Sequence, residues 1–225
     1  MNVAVLGTGV VGRALAGRLA SLGHTVTVGT RDPEATLGRT EPDSMGNPPF
    51  SAWHADHPDV TLATFAEAAA GADLVVLAGN GAAAADMLAA AGADNLGGTV
   101  VLDISNPLDF SAGFPPSLFV KDTDSLAEQL QRAFPEARIV KSLNTLTASL
   151  MVDPASLGQS STVFVSGDDA EAKSLVTSVL ESFGHDDVID LGPLETARGT
   201  EMLLPLWLRL TGALGTPHFN LKVVR

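Results

Sequence analysis

Short apolar runs and helical periodicities alternate along the chain. Val3 to Leu6 is an apolar run without helical spacing and predicts a buried strand. Apolar residues at helical spacing follow and stop at Gly23, which is typical of a helix end. Thr25 to Val28 is β-branched throughout and predicts a second strand. A strand, a glycine turn, a helix and a strand within about thirty residues make a βαβ unit, so the chain begins as a parallel sheet.

The same order of elements continues beyond this unit. Further strands are predicted from short apolar runs at residues 60–63, 73–78, 99–105, 138–143, 162–166 and 188–191. Helices are predicted from residue 64 onward and at residues 82–91, 125–135, 169–183 and 195–214. The last helix is apolar around most of its circumference, so we expect it to be buried and to kink at Pro205. These elements predict an α/β fold, a Rossmann-type doubly wound parallel sheet.

Two polar segments interrupt this order. The first, residues 32–58, is rich in Pro, Gly, Asp and Ser and is predicted as one long loop, of a kind that is often functional or mobile. The second lies around residues 153–161 and predicts a domain boundary. We therefore expect a Rossmann domain over residues 1–155 and a small C-terminal α/β domain over residues 156–225, which ends in the apolar helix.

Composition excludes several classes of protein. The 225 residues carry a formal net charge of −13, which disfavours nucleic acid and anionic lipid as partners. No apolar run approaches the ~20 residues of a membrane helix and no signal peptide is evident, so a cytoplasmic protein is expected. The chain has no cysteine, which removes thiolate chemistry, and no tyrosine, which removes the tyrosine–lysine proton donor pair of short-chain dehydrogenases.

Positive charge is concentrated near the two ends of the chain. No Lys or Arg lies between Arg39 and Lys121. The amino-terminal stretch holds Arg13, Arg18, Arg31 and Arg39. In an otherwise acidic molecule, such an island suits an anionic ligand.

The first turn carries a glycine motif that binds dinucleotides when strand and helix flank it. Its residues are Gly7, Thr8, Gly9, Val10, Val11 and Gly12. The first glycine permits the turn, the second lets the backbone approach a pyrophosphate, and the third lets helix pack on strand. Unpaired N–H groups at the helix start would bind the pyrophosphate.

The end of the second predicted strand indicates which dinucleotide binds. An acidic residue there accepts from the ribose of NAD, whereas a hydroxyl and an arginine accommodate the 2′-phosphate of NADP. This chain has Thr30 and Arg31, which favours NADP. Asp32 follows directly and would be the ribose acceptor if the strand ended later. Arg39 is a second candidate for the phosphate.

Amide side chains follow the later strands. Asn80, Asn106 and Asn144 each stand near a predicted carboxyl end, where the reacting part of a dinucleotide lies in this fold. Amides can hold a ribose or a carboxamide without titrating. We recognise no His, Lys or carboxylate at these ends, so the site is expected to transfer hydride by alignment, with no catalytic acid or base.

A metal site is not expected. His54 and His57, with Asp56 and Asp59, are metal-capable, but they lie in the proline-rich segment without a helical frame.

Four segments together resemble a known family. They are Val3 to Gly12, Gly29 to Arg31, Val140 to Thr145 and Glu201 to Pro205. They are similar to the F420-dependent NADP oxidoreductases of bacteria and archaea, and also to the cytosolic oxidoreductase domain of the STEAP metalloreductases. The likeness spans nearly the whole chain. Archaeal members have a histidine where Asn144 stands, and residues 32–58 match no segment of the family.

The resemblance implies a dimeric enzyme that moves hydride between NADPH and the deazaflavin coenzyme F420. The small C-terminal domain would supply the acceptor site and the dimer contacts. By position, Thr8 to Val11 would face the pyrophosphate, Asn80 and Asn106 the nicotinamide ribose, and Asn144 the ring. The acidic tail of F420 would need cations, for which this chain can offer only Lys121, Lys141, Arg198 or similar residues.

Two alternatives remain open. One is an NADPH-dependent imine or carbonyl reductase, which would need a proton donor at the nicotinamide. The other is a non-catalytic module that senses NADPH through the long loop and the last helix.

Overall fold

A sheet of eight strands runs through the described residues, 1–43 and 46–225, of this computed structural model. The order across the sheet is β10-β9-β8-β5-β4-β1-β2-β3, and β6 and β7 pair as a separate hairpin. The strands are β1 (Asn2–Leu6), β2 (Thr25–Thr30), β3 (Thr61–Thr64), β4 (Leu74–Leu77), β5 (Val100–Asp103), β6 (Leu108–Asp109), β7 (Ser117–Leu118), β8 (Arg138–Lys141), β9 (Val163–Gly167) and β10 (Val188–Asp190).

Helices cover both faces of the sheet. They are α1 (Val10–Ser21), α2 (Pro33–Leu37), α3 (Phe50–Ala55), α4 (Phe65–Ala69), α5 (Ala84–Ala91), α6 (Ala93–Leu96), α7 (Leu126–Ala133), α8 (Ala148–Val152), α9 (Ala170–Phe183), α10 (Ala197–Met202) and α11 (Leu204–Leu214). Short 3₁₀ turns lie at Gly81–Ala83, Pro154–Leu157 and Leu194–Thr196. The hydroxyls of Thr64 and Ser125 cap α4 and α7 by accepting from the backbone N–H groups of Glu67 and Glu128, and at Thr64 the Glu67 carboxylate completes a capping box.

The carboxyl ends of six strands meet at one edge of the sheet. β8, β5, β4, β1, β2 and β3 pair in parallel throughout. The direction changes at β9, which pairs antiparallel to β8. The predicted Rossmann-type α/β fold is therefore confirmed, with one reversed step. The predicted boundary at residue 155 falls between β8 and β9, which share this sheet, and the division into two domains stays a prediction.

The strands are apolar on both sides because helices cover both faces. In β1, Val3 and Val5 belong to a core with Leu15 and Leu19 of α1. Ala4 and Leu6 point the other way, into a second core with α4, α5 and α7. Alternate residues of one strand thus serve two cores, which is why the strands read as continuous apolar runs.

Residues 32–58 do not form the single long loop that their composition predicts. Asp32 caps α2, and Pro33 occupies its first turn. Phe50 begins α3 and is buried against the first core. Positions 44 and 45 of this segment lie outside the described residues.

The predicted last helix is divided. α10 ends at Met202 and α11 begins at Leu204, so the break precedes Pro205, which lies in the first turn of α11. Most of α11 is not buried within one chain, since Leu206 is 50% exposed and Leu214 56%. A dimer that covers this face stays a prediction.

His185 is buried between α9 and β10, and its Nε2 donates to the carbonyl of Met151 at 3.0 Å. Its Nδ1 has no partner among the described residues. Burial lowers the pKa of His185 below its ordinary value of 6.5, although the Met151 carbonyl and the Asp186 carboxylate act in the opposite direction. The folded protein therefore holds this ring neutral.

We expect His185 to make the free energy of unfolding pH-dependent. The ring binds a proton more readily in the unfolded protein. The contribution of the neutral ring to the free energy of unfolding is therefore full above pH 6.5 and is lost as the pH falls below 6.5. The loss is at most about 1.4 kcal/mol per pH unit. Urea unfolding between about pH 7.5 and 5.5 should show a shallower dependence in His185→Gln, whose amide can still donate to Met151. The exposed control His218→Gln should keep the wild-type slope, and equal slopes in all three proteins would contradict this account.

Candidate functional site

The glycine turn lies at the carboxyl edge of the sheet, and its three glycines meet different surroundings. Gly7 has a φ of +127°, and a Cβ there would lie 2.6 Å from the carbonyl oxygen of Ala78. A Cβ on Gly12 would lie 2.1 Å from the carbonyl oxygen of Gly7. A Cβ on Gly9 would meet nothing within 4 Å. Gly7 and Gly12 thus allow strand and helix to pack closely, whereas Gly9 leaves open space above the turn.

The start of α1 is arranged to receive an anion. No side chain caps this helix, and its first turn contains no acidic residue. The first N–H groups of a helix have no partner within it, and the helix dipole favours negative charge there. The residues present therefore fit a pyrophosphate, which needs N–H donors and close approach to the backbone.

A cavity of about 520 Å³ opens beside this turn. It brings together the glycine turn, the end of β2, the end of β4 and one side of α5. The lining residues are Gly7, Thr8, Gly9, Gly29, Thr30, Arg31, Asp32, Arg39, Phe65, Ala78, Gly79, Asn80, Ala83, Asp86, Met87 and Ala90. The glycine turn, Thr30 with Arg31, and Asn80 were predicted separately as parts of one nucleotide site, and all of them border this cleft.

Val10, Val11 and Gly12 do not line this cleft. Val10 is 43% exposed at the first position of α1, Val11 packs against the first core, and Gly12 is buried. These residues can offer backbone N–H groups from the first turn of the helix.

The end of β2 places two guanidinium groups at the cleft. Arg31 follows the last strand residue, and Arg39 arrives from the segment after α2. Within residues 1–43 and 46–225, neither guanidinium forms a hydrogen bond or an ion pair. Asp32 accepts from the backbone N–H of Ala35 at 2.9 Å and so caps α2. The hydroxyl of Thr30 is buried and lies 2.9 Å from that of Thr36.

The amides after β5 and β8 form a pair. Asn106 donates to the carbonyl oxygen of Asn144 at 2.9 Å, and Asn144 donates to Oδ1 of Asn106 at 3.0 Å. Asn144 also donates to the carbonyl oxygen of Thr200 at 3.1 Å, while its Oδ1 accepts no hydrogen bond from the described residues. Neither residue lines the 520 Å³ cavity. Asn80 is at the cleft, where it accepts from the N–H of Ala82.

Ionisable residues do occur at these strand ends, so the expectation that they are absent was wrong. Asp103 ends β5 and Lys141 ends β8. Nζ of Lys141 donates to Oδ2 of Asp103 at 2.9 Å, to the carbonyl oxygen of Ser105 at 2.6 Å and to Oε1 of Glu201 at 2.9 Å. We call Asp103, Lys141 and Glu201 the buried triad, because their side chains are at most 2% exposed.

The buried triad holds its lysine charged. Burial alone would lower the pKa of Lys141, but the carboxylates of Asp103 and Glu201 outweigh this and raise it above the ordinary value. Lys141 therefore cannot serve as an exposed cation for an acidic ligand. Arg198 forms a bidentate pair with Glu128 at 2.6 and 2.9 Å, which leaves Lys121 as the exposed member of the three cations.

His54 and His57 have structural contacts. His54 donates from Nε2 to the carbonyl oxygen of Val60 at 2.9 Å, and His57 donates from Nδ1 to that of Trp53 at 2.8 Å. The ring of His57 stacks on Trp53, with ring centres 4.1 Å apart. Across the described part of the chain, no three His, Asp or Glu side chains are grouped so that they could hold a metal ion. Every helix among the described residues falls short of the length and hydropathy that a membrane-spanning helix requires.

Comparisons with known proteins identify the family of this chain. Residues 2–107 match the family model described as NADP oxidoreductase, coenzyme F420-dependent. A crystal structure of a candidate F420-dependent NADP reductase from Arthrobacter sp. FB24 is 61% identical, with a TM-score of 0.96, and each chain covers 100% of the other. The expectation that residues 32–58 match no segment of the family was therefore wrong, since both matches include them.

Two sequence relatives are more distant. The F420-dependent NADP reductase of Methanothermobacter marburgensis is 29% identical, over 93% of this chain and 92% of that protein. The metalloreductase STEAP3 of Rattus norvegicus is 30% identical over 92% of this chain, which spans only 38% of that protein. With the cleft described above, these likenesses establish that the chain belongs to the family of coenzyme F420-dependent NADP oxidoreductases and is an NADP-dependent oxidoreductase.

Proposed function

We propose that the protein transfers hydride between NADP(H) and a deazaflavin of the F420 type or a flavin-like acceptor. NADPH supplies a hydride from C4 of its nicotinamide, the acceptor ring takes it, and the reduced acceptor gains its proton from solvent. The protein contributes binding, alignment and exclusion of competing groups. The family supports this acceptor class, and the arrangement of residues supports the mode of transfer.

The glycine turn and α1 would hold the pyrophosphate. Backbone N–H groups from Thr8 to Gly12 lie at the helix start, and Gly9 leaves the space that close approach requires. No acidic side chain in the first turn competes for these donors.

Arg31 and Thr30 would bind the 2′-phosphate. Arg31 is exposed at the cleft without an ion pair among the described residues, so its planar guanidinium is available to a phosphate. Asp32 is used in capping α2, which argues against its role as a ribose acceptor. Arg39, which lines the same cleft, would add a second positive charge.

The neutral amide pair beside the cleft carries the proposal of transfer by alignment. Asn106 and Asn144 are the amide side chains that follow β5 and β8, and the ionisable residues at these strand ends are buried and paired with one another. Oδ1 of Asn144 remains an acceptor, which suits the carboxamide of a nicotinamide. A site without a titrating donor suits hydride transfer between two rings better than the reduction of an imine or ketone.

Adding one Cβ at two positions of the turn should separate binding from folding. Gly12→Ala should lower the free energy of unfolding by at least about 2 kcal/mol, because the Cβ meets backbone. Gly9→Ala should change it by less than about 1 kcal/mol and raise the Kd for NADPH about tenfold, because its Cβ enters the open space above the turn. Urea unfolding and calorimetric titration measure both quantities. Unchanged NADPH binding by Gly9→Ala would show that the pyrophosphate lies elsewhere.

Arg31→Ala should weaken NADPH binding by about 1.5 to 3 kcal/mol, the range of a charge-assisted contact, with little effect on NADH. Titration of both nucleotides against the wild type and the variant measures the difference. Arg132→Ala is a matched control, since that arginine is exposed on α7 outside the cleft and pairs with Asp124. Equal losses for NADPH and NADH would refute a 2′-phosphate contact.

Coenzyme F420, or else a flavin, should oxidise NADPH in the presence of the protein. The assay follows the loss of nicotinamide absorbance with NADPH alone, with F420, with FMN and with a small cyclic imine, under nitrogen. With F420, whose deazaflavin ring accepts hydride at a carbon atom, NADPH deuterated at C4 should pass its deuterium to the acceptor without exchange into water, because the transfer is direct. Turnover with the imine alone would favour a reductase of small substrates. Tight NADPH binding with no oxidation by any acceptor would favour a sensing module.

A further inference from the structure

The buried triad joins four elements through a complete set of hydrogen bonds. Asp103 accepts from the N–H and the hydroxyl of Ser105, at 2.9 and 2.6 Å. Glu201 accepts from the N–H groups of Leu126 and Ala127 at the start of α7, at 2.8 and 3.1 Å. With the three donations of Lys141, these contacts tie β5, β8, α7 and α10 together.

The completeness of this network rules out a role in moving protons. All three N–H donors of Lys141 are engaged, and every carboxylate oxygen of the triad accepts at least one hydrogen bond. The side chains are also closed to solvent. A proton could neither enter nor leave without breaking the arrangement.

A buried ionic network of this kind adds little net stability to a fold. Burying three charges costs desolvation energy, and apolar residues of similar volume often do as well or better. A buried ionic network fixes geometry more tightly than an apolar cluster, because each bond has a required direction. Its location then indicates which geometry it fixes.

Each member of the triad lies within three residues of a member of the amide pair's own network. Ser105, whose carbonyl binds Lys141, immediately precedes Asn106. Asn144 comes three residues after Lys141, and Thr200, which accepts from Asn144, immediately precedes Glu201. The segments at residues 103–106, 141–144 and 200–201 are therefore joined twice, once by the ionic contacts of the triad and once by the hydrogen bonds of the amides.

We propose that the buried triad positions the Asn106–Asn144 pair, and through it the nicotinamide ring, for hydride transfer. Asp103, Lys141 and Glu201 are positioning residues that touch neither substrate. This inference rests on the proposed nicotinamide site. It predicts that loosening the triad impairs the hydride step while leaving the binding of NADPH, which depends on the glycine turn and Arg31, nearly unchanged.

Glu201→Gln is the first test, because it removes a charge at constant size. We expect the rate constant of hydride transfer, measured in single turnover at saturating NADPH, to fall about 10- to 100-fold, as misplacement of reacting groups commonly does. The Kd for NADPH should stay within about twofold. Asp103→Asn, which removes the other carboxylate that pairs with Lys141, should give the same fall in the rate constant and the same small change in Kd. It serves as the test if Glu201→Gln does not fold.

Glu128→Gln is the matched control. Glu128 also links α7 to α10, through its pair with Arg198, but no residue of the amide pair adjoins it. It should lower the midpoint of unfolding without slowing the hydride step of the folded protein. A rate loss in Glu128→Gln equal to that in Glu201→Gln would overturn the proposal, because general destabilisation would then explain both.

A second readout needs no acceptor. The fluorescence lifetime of the reduced nicotinamide in bound NADPH should be longer in the wild type than in Glu201→Gln, since a held ring loses less energy to motion. If no acceptor is ever reduced, the proposed function fails while this comparison still tests the triad. Identical lifetimes in wild type, Glu201→Gln and Glu128→Gln would overturn the positioning role.

Discussion

The close contact between the first strand and the first helix determines where the site can form. Gly12 lies so near Gly7 that no side chain fits between them, and this brings α1 against the sheet with its first turn at the carboxyl edge. Gly7 itself approaches Ala78 at the end of β4, which keeps the turn beside the next strand. The helix N-terminus, the end of β2 and the end of β4 then border one cleft. Two missing Cβ atoms therefore allow an anion site to be built from backbone alone.

The cations of this protein differ in whether a carboxylate neutralises them. Most of the chain is acidic, yet two arginines without protein partners among the described residues stand at the cleft. Two other cations are neutralised by carboxylates. Lys141 pairs with Asp103 and Glu201 in the interior, and Arg198 pairs with Glu128 near the surface. Under the proposed function, Arg31 and Arg39 would attract the anionic ligand, while the paired cations contribute little to the external field.

Sequence reasoning succeeded where the determining contacts are local. The βαβ unit around the glycine turn follows from residues within about thirty positions of each other, and its strand end, Thr30 and Arg31, lies where the pattern places it. The two helices in residues 32–58 were missed because their proline- and glycine-rich surroundings resemble a loop. The break before Pro205 was placed slightly late, since a proline is tolerated in the first turn of a helix.

The buried triad could not be predicted in the same way. Asp103, Lys141 and Glu201 are separated by 38 and 60 positions, and each taken alone resembles a charged residue that ends a strand or faces solvent. Only the order of strands, with β8 beside β5, brings the first two together. One signal was present: Asp103 and Lys141 each directly follow apolar residues of a predicted interior strand, where an unpaired charge would be costly.

The contrast between buried charges and neutral amides has a consequence for the chemistry at this edge. Asn106 and Asn144 present fixed dipoles, and dipoles that are already oriented need not reorganise when charge moves between two rings. Flexible side chains would lose that advantage, because thermal motion would average their direction. The amides keep theirs through mutual hydrogen bonds and through the carbonyl of Thr200, and these segments are held in turn by ionic contacts with required geometry. The charged residues thus hold the neutral amides in place. Asp103, Glu201 and Lys141 exchange no proton with a substrate.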